Sequence, residues 1–144
     1  DKKRSARDNG RTPFQWDSSV NAGFTTGNPW LKINPNYKTV NEAAEESDSN
    51  SVLNYFRKIV KLHKENPVLV YGKYTLLDED NASVYAYTRE LNGKKLLVLL
   101  NFKSKTADFN TGIDMSKAKL LLDNYTKPSV GNTLQPYEAA VYEL

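Results

Sequence analysis

Apolar residues fall at helical spacing in one clear stretch of this chain. Val52, Leu53, Phe56, Ile59, Val60 and His63 share a face, while Asn54, Arg57, Lys58 and Lys61 take the other. Asp48-Ser49-Asn50-Ser51 supplies candidates for the N-cap, because short polar side chains satisfy the free amides of a first turn. Lys61, His63 and Lys64 suit the negative end of the helix dipole. Pro67 disfavours helical backbone at Asn66 and sets a stop there. The pattern predicts an amphipathic helix over about residues 49–65, whose stripe must be buried against the segment that follows or against protein elsewhere.

After Pro67 the period becomes two. Leu69-Val70-Tyr71 leads through Gly72 into Tyr74-Thr75-Leu76-Leu77, and Asp78 to Ala82 reads as a turn. Ser83 to Arg89 alternates and is rich in aromatic and β-branched residues. Asn92-Gly93 then predicts a tight hairpin, since both central residues of a type I′ turn need positive φ. The strand after it, Lys95 to Phe102, contains the unbroken apolar run Leu96-Leu97-Val98-Leu99-Leu100, which predicts a central strand covered on both faces. Weaker strands are expected at Thr106–Phe109, Ala118–Asp123 and Leu134–Tyr142, with Pro136 disturbing the start of the last. Short antiparallel strands with frequent turns predict a mainly β fold, an antiparallel β-sandwich of Greek-key type.

Residues 1–48 behave differently. Asn21-Ala22-Gly23, Thr25-Thr26-Gly27-Asn28-Pro29 and Asn34-Pro35-Asn36 are turn clusters, and the region reads as a long loop. So long an irregular run is uncommon within a compact domain, and suggests a functional loop draped over a scaffold. The division falls near Asn66-Pro67, giving expected domains of 1–66 and 67–144.

Composition narrows the chemistry. The 144 residues carry 20 basic and 17 acidic side chains, a formal charge of +3, mixed along the chain without the basic stripe that nucleic acid demands. No nucleic-acid partner is expected, and no membrane partner, because the apolar run Leu96 to Leu100 is far too short to span a bilayer. Asp1 to Arg4 shows no apolar signal-peptide core, which leaves cytoplasmic and periplasmic locations open. Cysteine is absent, so thiol chemistry and disulfides are excluded. With His63 the only histidine, and on the helix, neither a zinc site nor a Ser–His–Asp arrangement can be assembled. No metal and no cofactor are expected. Asp78-Glu79-Asp80-Asn81 is an acidic hairpin tip without EF-hand spacing, and reads as a solvated turn.

What remains is Arg7-Asp8-Asn9-Gly10-Arg11-Thr12-Pro13-Phe14-Gln15-Trp16-Asp17, a polar and aromatic segment with neither helical nor strand period. Carboxylates and guanidinium groups bind sugar hydroxyls in pairs, and aromatic rings pack on pyranose faces. The same residues could instead form structural ion pairs, Arg7–Asp8 and Arg11–Asp17, that hold a loop. Physical chemistry alone leaves both readings open.

This segment, followed by Asn21-Ala22-Gly23-Phe24 and Pro29-Trp30, resembles the late barrel region of the α-amylase superfamily, glycoside hydrolase family thirteen. It is most similar to the branch of oligo-1,6-glucosidases, α-glucosidases, trehalose-6-phosphate hydrolases and sucrose isomerases. Many members carry Met at the position of Phe14, a mild departure. The resemblance continues through Pro35-Asn36-Tyr37, Asn50-Ser51-Val52-Leu53 and Leu134-Gln135-Pro136-Tyr137-Glu138, and so covers essentially the whole chain.

The resemblance implies a (β/α)8 barrel with its active site at the C-terminal ends of the strands. It also implies a retaining mechanism with an Asp nucleophile and a Glu acid/base. Those residues would lie upstream of Asp1, so this chain would be an inactive C-terminal part of an exo-acting α-glucosidase. It would keep the loop after the seventh barrel strand and its helix, the last barrel helix (about residues 49–65) and the C-terminal β-domain. The β-sandwich would then be preceded by a long loop and one or two helices left over from the barrel. Its implied partners are the missing N-terminal (β/α)8 barrel and, in the full enzyme, short α-glucans or isomalto-oligosaccharides. Arg11 would close the pocket for the non-reducing-end sugar, with Arg7 and Asp8 in support, while Phe14, Gln15 and Trp16 brace the loop. Two other classes stay open. Tyr71, Tyr74, Tyr85 and Tyr87 could form a sugar platform if they line one exposed face, or the domain could be a purely structural accessory.

Overall fold

The computed structural model describes residues 10–144, and Arg7 and Asp8 lie outside them. The chain forms two compact units, one up to Arg57 and one from Lys58 to Leu144.

In the first unit the expected long loop is broken by short helical segments. Single 3₁₀ turns occupy Val20–Gly23 and Pro35–Lys38. A short helix, α1, spans Glu42–Ser47, between the turn clusters and the amphipathic stretch. Its cause is local. Asn41 Oδ1 accepts from the Ala44 amide at 2.9 Å, an N-cap bond, and Glu42 and Glu45 face the positive end of the dipole.

Helix α2 runs from Val52 to Glu65, matching the amphipathic pattern. Ser51 is its cap: its hydroxyl accepts from the Asn54 amide at 3.1 Å and donates to Glu45 O at 2.7 Å. Glu45 Oε2 accepts from the Leu53 amide at 2.9 Å, placing a carboxylate at the N-terminus where the dipole favours it. None of the residues of α2 is buried, and Val52 and Phe56 stand largely exposed.

The second unit continues from α2 into α3, Pro67–Tyr71. This corrects the expectation of extended chain at Leu69-Val70-Tyr71. Pro67 ends α2 as expected but sits in the first turn of α3, where its fixed φ and missing N–H cost nothing. Gly72 follows, and close approach explains the glycine. A Cβ there would stand 2.4 Å from Val68 O and 3.0 Å from the Glu90 amide nitrogen.

Seven strands follow: β1 Lys73–Leu77, β2 Val84–Leu91, β3 Lys94–Asn101, β4 Ala107–Asp108, β5 Lys119–Asp123, β6 Thr133–Leu134 and β7 Ala139–Glu143. They make a five-stranded sheet in the order β1-β2-β3-β7-β5 and a two-stranded ribbon β4-β6, all antiparallel. The architecture is the mainly β one expected from the strand pattern. Asn92 and Gly93 both take positive φ, 51° and 81°, at the β2–β3 turn. Leu96, Leu97, Val98 and Leu99 are all buried, as a central strand requires. The expected strand Leu134–Tyr142 is split instead. Pro136 has no amide hydrogen to pair, and Tyr137 turns left-handed at φ 56°, so β6 and β7 are separated.

The core lies between sheet and ribbon. Val84, Ala86, Leu97, Leu99, Phe109 and Leu134 form one buried cluster, flanked by Leu77, Ile113, Met115 and Tyr142. At one end of the sheet the buried Asn101 ties the loops together. Its Nδ2 donates to Lys105 O and Gln135 O at 2.8 Å each, and its Oδ1 accepts from the Lys103 amide at 2.9 Å. Asp78 Oδ2 accepts from Asn81 Nδ2 and from the Asn110 amide, which lowers its pKa. The acidic tip is therefore an internally bonded turn.

Candidate functional site

The candidate site is the loop that opens the first unit. Its shape comes from backbone that only a few side chains allow. Asn21, Ala22 and Gly23 are left-handed in succession, at φ 59°, 57° and 67°. For an alanine this costs on the order of 1 kcal/mol, so the surroundings must impose it. They do: Ala22 is fully buried, and its carbonyl accepts from the Trp16 amide at 2.9 Å and the Asp17 amide at 3.3 Å. Asn21 Nδ2 donates to Thr25 O and Gly27 O at 3.1 and 2.9 Å, fixing the next turn. At Gly23 a Cβ would meet Asp17 Oδ2 at 2.8 Å, so the carboxylate needs that empty space.

Asp17 has a local role. Its Oδ1 accepts from the Ser19 amide at 2.7 Å, and bonds from the Ser19 hydroxyl and amide hold the carboxyl below its ordinary range. The suggested Arg11–Asp17 ion pair does not form. The salt bridges among the described residues are Arg57–Glu46, Lys61–Glu65, Lys94–Glu143 and Lys95–Glu90. Local amides satisfy Asp17 more cheaply than a long exposed guanidinium could. Arg11 is exposed and makes no hydrogen bond or ion pair with any described residue.

Phe14, Gln15 and Trp16 brace the loop. Gln15 Nε2 donates to Val40 O, and the carbonyls of Gln15 and Trp16 accept the Glu42 and Ala43 amides at 2.9 Å each. Those two amides belong to the unpaired first turn of α1, so the loop and the helix complete one another. The Phe14 and Trp16 rings pack with centroids 4.6 Å apart. Beside Phe14 opens an apolar groove of about 510 Å³, lined by Pro13, Phe14, Val40, Val52, Leu53 and Phe56 among others.

Sequence reasoning did not single out the residues that hold this arrangement. Asn41 is buried, capping α1 through Oδ1 and donating to Tyr37 O at 2.8 Å through Nδ2. Asn54 Nδ2 donates to Glu45 O at 2.8 Å and Asp48 O at 2.9 Å. The frequency of Asn beside turns was the available signal, but it marks a turn without naming the carbonyl that each amide will meet.

On the second unit, Tyr74, Tyr85 and Tyr87 do share one face of the sheet, Tyr74 and Tyr85 partly exposed and Tyr87 half-buried. Tyr87 lies 5.3 Å from each of the other two ring centroids, with the ring planes inclined at 38° and 47°. The Tyr74 and Tyr85 hydroxyls bond to each other at 2.7 Å. The rings form a tilted cluster in which Tyr74 and Tyr85 spend their hydroxyls on each other, where a pyranose would need a flat, open surface. Tyr71 lies on α3, outside that cluster.

Among the described residues there is no helix long and apolar enough to cross a membrane, and no group of three or more His, Cys, Asp or Glu that could hold a metal ion.

Comparison with known proteins gives a consistent set of likenesses. Residues 1–72 match the model of the α-amylase catalytic domain, and residues 74–141 that of the maltogenic amylase C-terminal domain. An oligo-1,6-glucosidase from Parageobacillus thermoglucosidasius is 44% identical over 144 residues, covering 96% of this chain and 26% of that protein. The crystal structure of trehalose-6-phosphate hydrolase from Bacillus licheniformis superposes with a TM-score of 0.85 at 39% identity, covering 96% of this chain and 26% of that one. An isomaltulose synthase from a Klebsiella species superposes with a TM-score of 0.82 at 39% identity, over 95% of this chain and 25% of that one. The chain spans about a quarter of the length of the curated relatives it matches.

Proposed function

The chain belongs to the α-amylase family, and from that premise we propose that it is the C-terminal part of a retaining α-glucosidase acting on short oligosaccharides. The parent enzyme removes terminal α-linked glucose through a covalent glucosyl-enzyme, in the manner of oligo-1,6-glucosidases and α-glucosidases. The nucleophile and the acid/base belong to the upstream barrel. The isolated chain has no hydrolase activity, and its β-sandwich stabilises the barrel.

Residues 1–66 complete the barrel with an active-site loop and its last helix, and residues 67–144 form the C-terminal domain. Arg11 closes the pocket around the terminal sugar by pairing with an upstream carboxylate, supported by Arg7 and Asp8. One observation carries this reading: a heavily braced loop presents an arginine that none of the described residues engages. With Asp17 satisfied by Ser19, Arg11 is left open to a carboxylate outside the loop. The apolar groove beside it, with Val52 and Phe56 uncovered, is where the barrel's remaining elements would pack.

The test begins with the reading frame upstream of Asp1. A frame that continues into a barrel with an Asp nucleophile and Glu acid/base supports the reading, and one that does not refutes it. In the full enzyme, Arg11→Ala should lower kcat/KM for a terminal α-glucoside by roughly 10²-fold, as expected for removing one partner of a desolvated charge pair. Arg11→Ala with unchanged kinetics removes the role assigned to Arg11 and leaves the family reading intact.

A further inference from the structure

Two carboxyl groups meet at the end of the C-terminal sheet, far along the sequence from the loop described above. Asp123 closes β5 and pairs with Ala140 on β7. Glu138 precedes Ala140 by two residues, so it points to the same side of the sheet at its open end. It is 1% exposed and among the largest fully buried side chains of the chain. Three donors converge on it: the Ser129 amide at 2.8 Å, the Ser129 hydroxyl at 2.5 Å and the Gln135 amide at 2.5 Å. Through them Glu138 fixes the loop between β5 and β6 and the turn after β6.

Asp123 is less well provided. Its Oδ1 accepts from the Tyr125 amide at 2.6 Å, but its Oδ2 is buried and no donor reaches it. A buried carboxylate oxygen without a donor is costly, and beside a second carboxylate the cost rises. No cation offsets it: none of the salt bridges among the described residues involves Asp123 or Glu138. The ionisable groups acting on the pair are the two carboxyls themselves and Tyr142 on β7. A proton on Asp123 Oδ2 converts the orphan acceptor into a donor, with the Glu138 carboxylate as a neighbouring acceptor. It removes one of two neighbouring charges at the same time.

We propose that Asp123 and Glu138 share one proton in the folded domain, and that this proton is a latch holding the Tyr125–Gln135 segment against the end of the sheet. Titration tendencies agree with the geometry. Burial, and then the charge and bonding of Glu138, push Asp123 up to about 6 from an ordinary 3.8, against the opposing Tyr125 amide bond. Burial acts to raise Glu138 also, but the Ser129 and Gln135 donors outweigh it and hold that group below its ordinary 4.5.

The sign follows from linkage. For Asp123, raised in the folded state, the stabilisation is complete below its ordinary value and is lost as pH rises through about 6. For Glu138, lowered in the folded state, the stabilisation is present above 4.5 and is lost as pH falls through its depressed value. Above 4.5 the Glu138 contribution is complete, while that of Asp123 declines across the window from 3.8 to about 6, above which the latch opens.

The experiment is amide hydrogen exchange on the 144-residue chain on either side of the window, corrected for intrinsic rates, with a carboxyl carbon NMR titration of Asp123. Protection at Ser129 and Gln135 should fall by about tenfold as Asp123 deprotonates. Asp123→Asn supplies a permanent neutral donor, so protection should stay high and cease to depend on pH. Asp123→Ala removes charge and donor together, so the pH dependence should vanish with protection remaining low. Titration of Asp123 at its ordinary value, or an unchanged pH dependence in Asp123→Asn, overturns the proposal.

Discussion

Leu99→Ala is the most informative test of the C-terminal core. Leu99 is 1% exposed in the centre of the cluster formed with Val84, Phe109 and Leu134. Its neighbours across β2 and β7 are Ala86 and Ala140, both fully buried. This geometry fixes the magnitude. Truncation removes the equivalent of about three methylene groups, worth roughly 0.8 kcal/mol each, or about 2.4 kcal/mol of transfer free energy. A cavity term is added, because neither flanking alanine has atoms that can swing into the space. Little collapse means a cost toward the upper part of the Leu→Ala range, about 3–4 kcal/mol in all.

The control is Leu120→Ala on the edge strand β5, where the side chain is 39% exposed and the expected cost is below about 1 kcal/mol. Urea unfolding followed by far-ultraviolet circular dichroism reads both. Both tryptophans lie in the first unit, so their fluorescence reports on the other part of the chain. With m near 1 kcal/mol per molar urea for a small domain, Leu99→Ala should lower the midpoint by about 3 M or more. A loss under about 1 kcal/mol at Leu99, or an equal loss at Leu120, would show that the apolar cluster is not what holds the sheet to its ribbon.

Two further outcomes follow from particular contacts. Gly72→Ala should cost about 1–3 kcal/mol by the same urea assay, because the new methyl meets backbone atoms of α3 and β2 that cannot rotate away; a neutral result would mean α3 sits farther from the sheet. The Tyr74 phenol should titrate at about 12, raised first by its bond to the Tyr85 hydroxyl, then by burial and the charges of its tyrosine neighbours. Tyr85→Phe should bring that midpoint down toward 10 in an ultraviolet difference titration, and an unmoved midpoint would deny the bond.

Much of this protein can be read along the chain. The amphipathic stripe defines α2, and Asn92-Gly93 defines the hairpin, because turn conformation is a property of two adjacent residues. The apolar run Leu96 to Leu100 marks the central strand, since only a strand covered on both faces can dispense with polar alternation. The braced loop carries a family resemblance in its residues, and its aromatic content marks it as a part of something larger.

Other features depended on what came near in space. Leu69 to Tyr71 looks extended by its apolar content, yet it winds into α3, where Pro67 starts the turn and Arg89 Nη2 donates to Val70 O at 2.8 Å. The sequence pairs Asp17 with Arg11, six residues before, but in the fold its carboxylate accepts from the Ser19 amide two residues on. Tyr71, Tyr74, Tyr85 and Tyr87 read alike as alternating aromatics, but only three lie together, and tilted. Glu138 falls within the expected strand Leu134–Tyr142, and only its burial beneath Ser129 and Gln135 makes it the clamp of two loops. Local patterns determine dihedral angles and the faces of elements, because those energies are set within a few residues. Which carboxylate loses its water, and which donors then reach it, is decided only when strands distant in sequence close around it.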